Sequence, residues 1–330
     1  VKLATLKGST RDGSLCVVDR ALERAVMVGS IAPTMQFALE NWDAVEAKLR
    51  DVAAGLAGGH ERHAFSFSEA LDAGRVAAPL PRAYEWLDGS AYLTHVERVR
   101  RARNDKVPES FYKDPLMYQG GAGTMMGPRD PMRVLSEDWG VDLEGEVVAF
   151  VADVPMGSTA AKAGERIRLV TLINDVSYRR LIPTELAKGF GFVNGKGVNA
   201  LAPVACTPDE LGGHWRDGKV HLALHCTVNG KRLGDPNAGA DATFSLFDLT
   251  AHAAKTRDLA AGTMIGTGTI SNQDRNTGYA CLMEARLVEQ VELGEAKTPF
   301  LKFGDRVRIE MLDDKGDTIF GAIDHVVERA

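Results

Sequence analysis

The sequence predicts a mixed α+β fold made mostly of strands. Three observations carry this. Short apolar runs separated by Gly, Pro, Asn and Asp turn signals recur along the chain. Few stretches have helical periodicity, and no strand–helix–strand alternation is sustained, which argues against a doubly wound sheet. The segment Asp142–Val151 (DLEGEVVAFV) alternates acidic with small or apolar residues, then becomes a continuous apolar run that reads as a buried strand.

The elements follow in order. Lys2–Leu6 and Leu15–Asp19 read as short strands around the turn-rich Gly8–Gly13. Thr34 stands where a helix N-cap belongs. Ala38, Trp42, Val45, Leu49, Val52 and Leu56 then recur at four- and three-residue steps, so one amphipathic helix runs to Gly58-Gly59. Val76–Tyr84 holds Pro79 and Pro81 and follows neither period, which places a linker there. The expected division is a small β-rich N-terminal domain, residues 1–78, and a catalytic domain, residues 79–330. Tyr118–Gly127 (YQGGAGTMMG) reads as a mobile loop and a candidate lid. Arg168–Ile173 is an apolar strand ending at Asn174-Asp175. Ala187–Gly197 is Gly-rich and carries Lys188 and Lys196. Val220–Val228 reads as one strand, and Asn229-Gly230 as a two-residue hairpin turn. Ser245 with Asp248 opens a short helix to about Arg257. Val307, Ile309 and Met311 alternate, and Asp314–Gly316 turns the chain into Thr318–Ile323.

With 330 residues, 45% apolar and 25% charged, the chain has the composition of an ordinary globular protein. A net charge of −6 and the lack of a Lys/Arg-rich run argue against a nucleic-acid partner. No apolar stretch reaches the ~18 residues of a membrane span, and the first residues lack the apolar core of a signal peptide. Cys16, Cys206, Cys226 and Cys281 show neither paired nor metal spacing. Free buried thiols and a cytoplasmic location are expected.

The acidic residues are the informative ones. Carboxylates are depleted in strands. Asp142, Glu144 and Glu146 on one strand face repel one another unless water or a cation compensates. Asp88, Glu144, Glu146 and Asp175 all fall at expected strand ends and together suit one hard divalent cation. His95, seven residues after Asp88, can serve as a general base for water. Lys196, in its Gly-rich loop, can stabilise a developing oxyanion. Two rivals fail. Gly266-Thr-Gly-Thr-Ile-Ser271 lacks the remaining elements of a phosphate loop. His221 and His225 have no further zinc ligands nearby and read as packing residues.

At this point the chain resembles the fumarylacetoacetate hydrolase family, most closely its bacterial fumarylacetoacetases. Five blocks carry the resemblance in the family's order. They are Asp88…His95; Asp142-Leu-Glu-Gly-Glu146; Leu172-Ile-Asn-Asp-Val-Ser-Tyr-Arg179; Gly195-Lys196 with Pro203; and Gly266-Thr-Gly-Thr-Ile-Ser271…Met283-Glu284. The resemblance implies a β-roll catalytic domain, a smaller N-terminal domain and a homodimer. It implies Mg²⁺ or Ca²⁺, with Mn²⁺ as a further candidate, held by Asp88, Glu144, Glu146 and Asp175, with Asp142 not a ligand. It implies that Glu284 orients His95 for proton removal from water, and that Lys196 stabilises the departing enolate. Substrate contacts are implied for Tyr118, Thr269, Arg103 and Arg179. The implied reaction is hydrolysis of a β-diketone acid, 4-fumarylacetoacetate, to fumarate and acetoacetate in tyrosine and phenylalanine breakdown.

Three positions depart from the family pattern. Ile182 stands where a substrate-contacting Gln is expected, Ser90 where a Tyr is, and Asn104 where an Arg is. The alternative reading is therefore an acylpyruvate hydrolase or 2-oxo acid decarboxylase on the same scaffold.

Overall fold

The computed structural model describes the backbone of residues 1–101 and 107–330, with side chains except at 99–101. Among these, strands outnumber helices, as expected of a mixed, mostly β fold. The largest sheet has 11 strands. Its order is Phe65–Ser66, Arg24–Met27, Ser14–Val18, Lys2–Leu6, Ala205–Cys206, Ile167–Asn174, Gly145–Val151, Met264–Gly266, Trp86–Gly89 and Met117–Gly120. Ala200–Leu201 pairs alongside Ile167–Asn174. A 5-stranded sheet runs Lys231–Gly234, Leu224–Val228, Arg306–Met311, Ile323–Arg329 and Met132–Val134.

The first strands form as read, because a Gly-rich turn joins two apolar runs. Lys2–Leu6 then pairs antiparallel with Ala205–Cys206, so one ladder runs from the N-terminal segment into the rest of the chain. Val76–Tyr84 has neither helix nor strand, but it is no exposed tether. Val76 through Leu80 are buried, Val76 bridges Leu6, and Thr5 Oγ1 donates to the Pro79 carbonyl at 2.6 Å.

Three expectations about elements need correction. The single helix after Thr34 is two, Met35–Glu40 and Trp42–Ala57. Thr34 does cap the first, its side chain accepting from the Phe37 N–H. Asn41 ends it, since its side-chain amide and its backbone N–H both donate to the Phe37 carbonyl, a competition Asn offers and Ala would not. The strand expected over Val220–Val228 is two pieces, Lys219–Val220 and Leu224–Val228, with His221 between them. Tyr118–Gly127 is not simply a loop, because Met117–Gly120 forms the edge strand beside Trp86–Gly89.

Local chemistry explains other elements. Asn229 (φ 52°) and Gly230 (φ 73°) make the tight turn between Leu224–Val228 and Lys231–Gly234, where both central residues need positive φ. Ser245 and Asp248 form a reciprocal capping box on Leu246–Ala253. The central strand Gly145–Val151 is buried on both faces. Val147, Ala149 and Val151 join one apolar cluster, while Val148 and Phe150 join a second that includes Leu3, Leu39 and Trp42. The free cysteines Cys16, Cys206, Cys226 and Cys281 are all buried. No helix among the described residues is long and apolar enough to cross a membrane.

Candidate active site

The ends of neighbouring strands gather the carboxylates. Gly145–Val151 lies between Ile167–Asn174 and Met264–Gly266, with Glu146 opposite Ile173 and Val148 opposite Gly266. Gly266 is in turn opposite Asp88 on the parallel strand Trp86–Gly89. Asp88, Glu146 and Asp175 therefore meet, each offering an oxygen within 4.8 Å of the others. The strand expected to be continuous from Asp142 is broken at Leu143-Glu144. Val141–Asp142 pairs instead with Ser177–Tyr178.

That break separates the acidic residues into different jobs. Asp142 accepts from the N–H groups of Leu282 and Met283, at 2.8 and 2.9 Å, and so holds the start of the helix Leu282–Leu293. Glu144 Oε1 accepts from Arg179 and Oε2 from Lys196, both at 2.6 Å. Burial would push the Glu144 carboxyl up, but the Arg179 and Lys196 cations outweigh it and hold it below the ordinary carboxylate range. Glu146 has no such partner. Both its oxygens are buried without a hydrogen bond among the described residues, as is Asp175 Oδ1.

The electrostatics follow. Burial first, then Asp88 and Asp175, push Glu146 well above its usual range. Burial and Asp175 push Asp88 up to about 8. Asp175 is also raised, by burial, against the pull of Lys196. Buried carboxylate oxygens that lack protein donors and repel one another fit a hard, oxygen-seeking divalent cation. The donor set of Asp88, Glu146 and Asp175, with Glu144 beside it, matches that chemistry.

Lys196 lies at the centre of the charge. Its Nζ donates to Glu144 and, at 2.5 Å, to Asp175, and stands 5.0 Å from the Tyr118 ring centroid. Its loop is anchored to the chain after Asp175, where Ser177 bridges Lys196 and the Gly197 N–H meets the Val176 carbonyl at 2.7 Å. Burial disfavours the ammonium, but Asp175 and Glu144 reverse that and keep Lys196 charged. Tyr118 donates to Asp175 Oδ2 at 2.7 Å, with Phe192 packed edge-on at 5.2 Å.

Of the residues expected to touch substrate, Tyr118 is at the carboxylates. Thr269 is buried directly after Gly268, whose N–H donates to Asp88 Oδ1 at 3.0 Å. Arg179 stands beside the carboxylates, its guanidinium engaged by Asp142 and Glu144. Arg103 and Asn104 lie outside the described residues. Ile182 begins the short helix Ile182–Leu186 and packs against Gly195.

A dyad completes the site. His95, on the helix Leu93–Arg101, has Nδ1 at 2.7 Å from Glu284 Oε2. Burial raises Glu284, but His95 and Arg98 prevail and hold it below the usual range, so it is an acceptor and the proton belongs on Nδ1. With Nδ1 as the donor, Nε2 carries the free lone pair. The two halves of the site are joined through the backbone. Glu144 bridges Cys281, the cap of the helix that carries Glu284.

Sequence reasoning missed three supports. Asn174 Oδ1 accepts the Glu144 N–H at 3.0 Å, while Arg98 and Ser271 bind Glu284. Only Arg98 carried a signal, since it lies one helical turn after His95.

Gly268 is needed for its backbone. Its φ is +75°, and a Cβ there would stand 2.2 Å from the Gly89 carbonyl oxygen, in the strand that bears Asp88. Gly268→Ala is expected to lower stability by about 1–3 kcal/mol and to weaken divalent binding as Asp88 shifts. Urea unfolding and calorimetric Mg²⁺ titration measure the two effects. An unchanged urea midpoint would contradict the strain argument.

The whole chain compares with known proteins as follows. Residues 85–328 match the family described as "Fumarylacetoacetate (FAA) hydrolase C-terminal", and residues 1–82 match "Fumarylacetoacetase N-terminal domain 2". An uncharacterized protein of Archaeoglobus fulgidus is 25% identical over 224 residues, 67% of this chain and 80% of its own length. The Xenopus laevis mitochondrial oxaloacetate tautomerase fahd2 is 27% identical over 161 residues, 48% of each chain. Two solved structures share the fold. The fumarylacetoacetate hydrolase of Exiguobacterium antarcticum superposes with TM-score 0.67 at 16% identity, covering 100% of this chain and 99% of that one. The maleylpyruvate hydrolase of Sphingobium sp. SYK-6, in complex with manganese(II) and pyruvate, gives 0.66 at 15% identity, covering 100% of both. With a family match running from the strand of Asp88 past Glu284, the carboxylates and the dyad sit in a chain that belongs to the fumarylacetoacetate hydrolase family.

Proposed function

We propose that this enzyme is a metal-dependent hydrolase that cleaves the carbon–carbon bond of a β-diketone acid, with 4-fumarylacetoacetate as substrate. The observation that carries the reading is the joining, in one site, of a buried carboxylate cluster, in which both Glu146 oxygens and Asp175 Oδ1 lack a donor among the described residues, with the His95–Glu284 dyad. Asp88, Glu146 and Asp175, with Glu144 at their side, are the residues that would hold Mg²⁺, Ca²⁺ or Mn²⁺. Such a cation, when bound, supplies a Lewis acid for the two oxygens of the diketone.

The chain's own groups do the rest. Glu284 fixes the Nδ1–H tautomer of His95, so Nε2 removes a proton from water. The resulting hydroxide oxygen adds to the acyl carbonyl carbon. The bond between that carbon and the central diketone carbon breaks, and its electron pair passes to the acetoacetate half as an enolate. Lys196 offsets that negative charge, and the proton held on His95 returns to carbon. Water is consumed, and fumarate and acetoacetate leave. The proposal includes a homodimer, which the family resemblance implies.

A turnover assay tests it with fumarylacetoacetate, a short acylpyruvate and oxaloacetate side by side, with Mg²⁺ and with chelator. Mg²⁺-dependent release of fumarate, faster than acylpyruvate cleavage, is the expected result. Faster acylpyruvate cleavage would move the substrate to that class. Keto–enol conversion of oxaloacetate with no cleavage of any diketone would replace hydrolysis by the activity named for the Xenopus relative.

A further inference from the structure

The environment of Glu284 contains more than its histidine. The carboxylate is almost fully buried, with 1% of its side chain exposed, and its two oxygens have different partners. Oε2 faces His95 Nδ1. Oε1 accepts from Arg98 Nη1 and, at 2.8 Å, from Ser271 Oγ. Arg98 is itself well enclosed, with 13% of its side chain exposed. Its Nη2 donates to the Asn272 carbonyl at 2.6 Å, and its Nη1 also reaches Ser271 Oγ at 3.2 Å. Asn272 is fixed in turn, its side chain bonded to the backbone of Asn237 and Ala240.

His95 and Arg98 are three residues apart on one helix, so their side chains share a face. One helical turn thus delivers both the base and a cation to opposite oxygens of the same carboxylate. A carboxylate on a flexible side chain can turn about its last bond. With Oε1 pinned by two donors, Oε2 has one direction left, toward His95.

We infer that Arg98 is a positioning residue of the catalytic dyad. It acts through Glu284, with Ser271 as its second hand, and latches the helix Leu93–Arg101 to the segment that follows Thr269. The guanidinium suits this place because its planar fork reaches the carboxylate and the Ser271 hydroxyl from Nη1 and a backbone carbonyl from Nη2, where an ammonium has all its donors on a single atom. The kinetic part of the inference rests on the hydrolase reading; the structural part does not.

The test compares wild type, Arg98→Ala, Arg98→Lys and Ser271→Ala. In Arg98→Ala, kcat is expected to fall by ~10²-fold, the scale for a misplaced catalytic group, with KM little changed. Arg98→Lys should recover part of that loss and Ser271→Ala should lose less than Arg98→Ala. Added guanidinium should raise turnover of Arg98→Ala and leave His95→Ala unaffected. The His95 Nδ1–H proton resonance reads the dyad without any substrate. It should be downfield in wild type and lost or shifted upfield in Arg98→Ala. Wild-type kcat and an unmoved resonance in Arg98→Ala would overturn the inference. Were no diketone acid cleaved by the wild type, the hydrolase reading would fall, and the resonance alone would still decide the role of Arg98. Should Arg98→Ala not fold, the resonance in Arg98→Lys and Ser271→Ala decides, and no change in either would overturn it.

Discussion

In Glu146→Gln, affinity for Mg²⁺ or Mn²⁺ is expected to fall by more than the ~10–100-fold typical of losing a group behind a metal ligand. The chelator-treated variant should nevertheless unfold at a higher temperature than chelator-treated wild type at pH 8. Both effects have one cause. Glu146 is buried beside Asp88 and Asp175 with no donor on either oxygen among the described residues. Without a cation, the folded chain keeps protons on this cluster that the unfolded chain would release. A carboxyl raised in the folded state adds stability that is complete below its unfolded pKa and is lost as pH rises through its folded one. With Asp88 pushed up to about 8, metal-free wild type should lose stability steadily from about pH 4 toward pH 8. The amide in the variant is a permanent copy of the protonated acid and removes part of that slope. A divalent cation does the opposite and displaces the protons, so binding below about pH 8 should release protons and tighten as pH rises. Calorimetry in buffers of different ionisation enthalpy, with thermal unfolding across pH, measures all of this. Equal metal affinity in wild type and variant would sink the ligand assignment.

The carboxylates illustrate how far a sequence can be read. Each acid at a strand end was legible, because acids are unfavourable there and need a reason. The five blocks made the family legible, and the fold class and the family match agree with that reading. What the residues could not state was the division of labour among the acids. Asp142, Glu144 and Glu146 alternate in sequence, yet the strand breaks between Asp142 and Gly145. That break comes from pairing with Ser177–Tyr178, about 35 residues away, and no local pattern encodes it. It turns Asp142 toward a helix start and Glu144 toward two cations, and leaves Glu146 without a donor.

Arg179 and Arg98 show the same limit from the other side. The resemblance implies a substrate contact for Arg179, and its guanidinium also neutralises Asp142 and Glu144, a role the local sequence does not state. Arg98 carries one local signal, its place one helical turn after His95. Its partner Glu284 is 186 positions away, and only the packing of two helices brings them together. The helix break at Asn41 is a local signal that the apolar period hides, because that period continues across it. Side-chain competition for the Phe37 carbonyl outweighs that period.

His95→Ala should keep its divalent cation and lose turnover by roughly 10²–10⁴-fold, the usual contribution of a positioned general base. The metal site survives because His95 donates no ligand to the Asp88, Glu146 and Asp175 group. Glu284→Gln should cost a comparable factor. The amide cannot stabilise the imidazolium that forms when Nε2 takes a proton, and it can turn its N–H₂ toward Nδ1 and fix the wrong tautomer. The variant also leaves Arg98 facing a neutral group in a buried setting. The decisive experiment is the double variant. If His95 and Glu284 act as one unit, removing both should cost no more than removing His95 alone, because Glu284 has no route to the substrate except through the imidazole. Losses that multiply would mean two independent contributions. Glu284 would then serve the site by another path, through the helix start that Asp142 holds or through the latch of Arg98. Calorimetric Mg²⁺ affinities measured on the same variants separate these outcomes, since a dyad acting only in proton transfer leaves them unchanged.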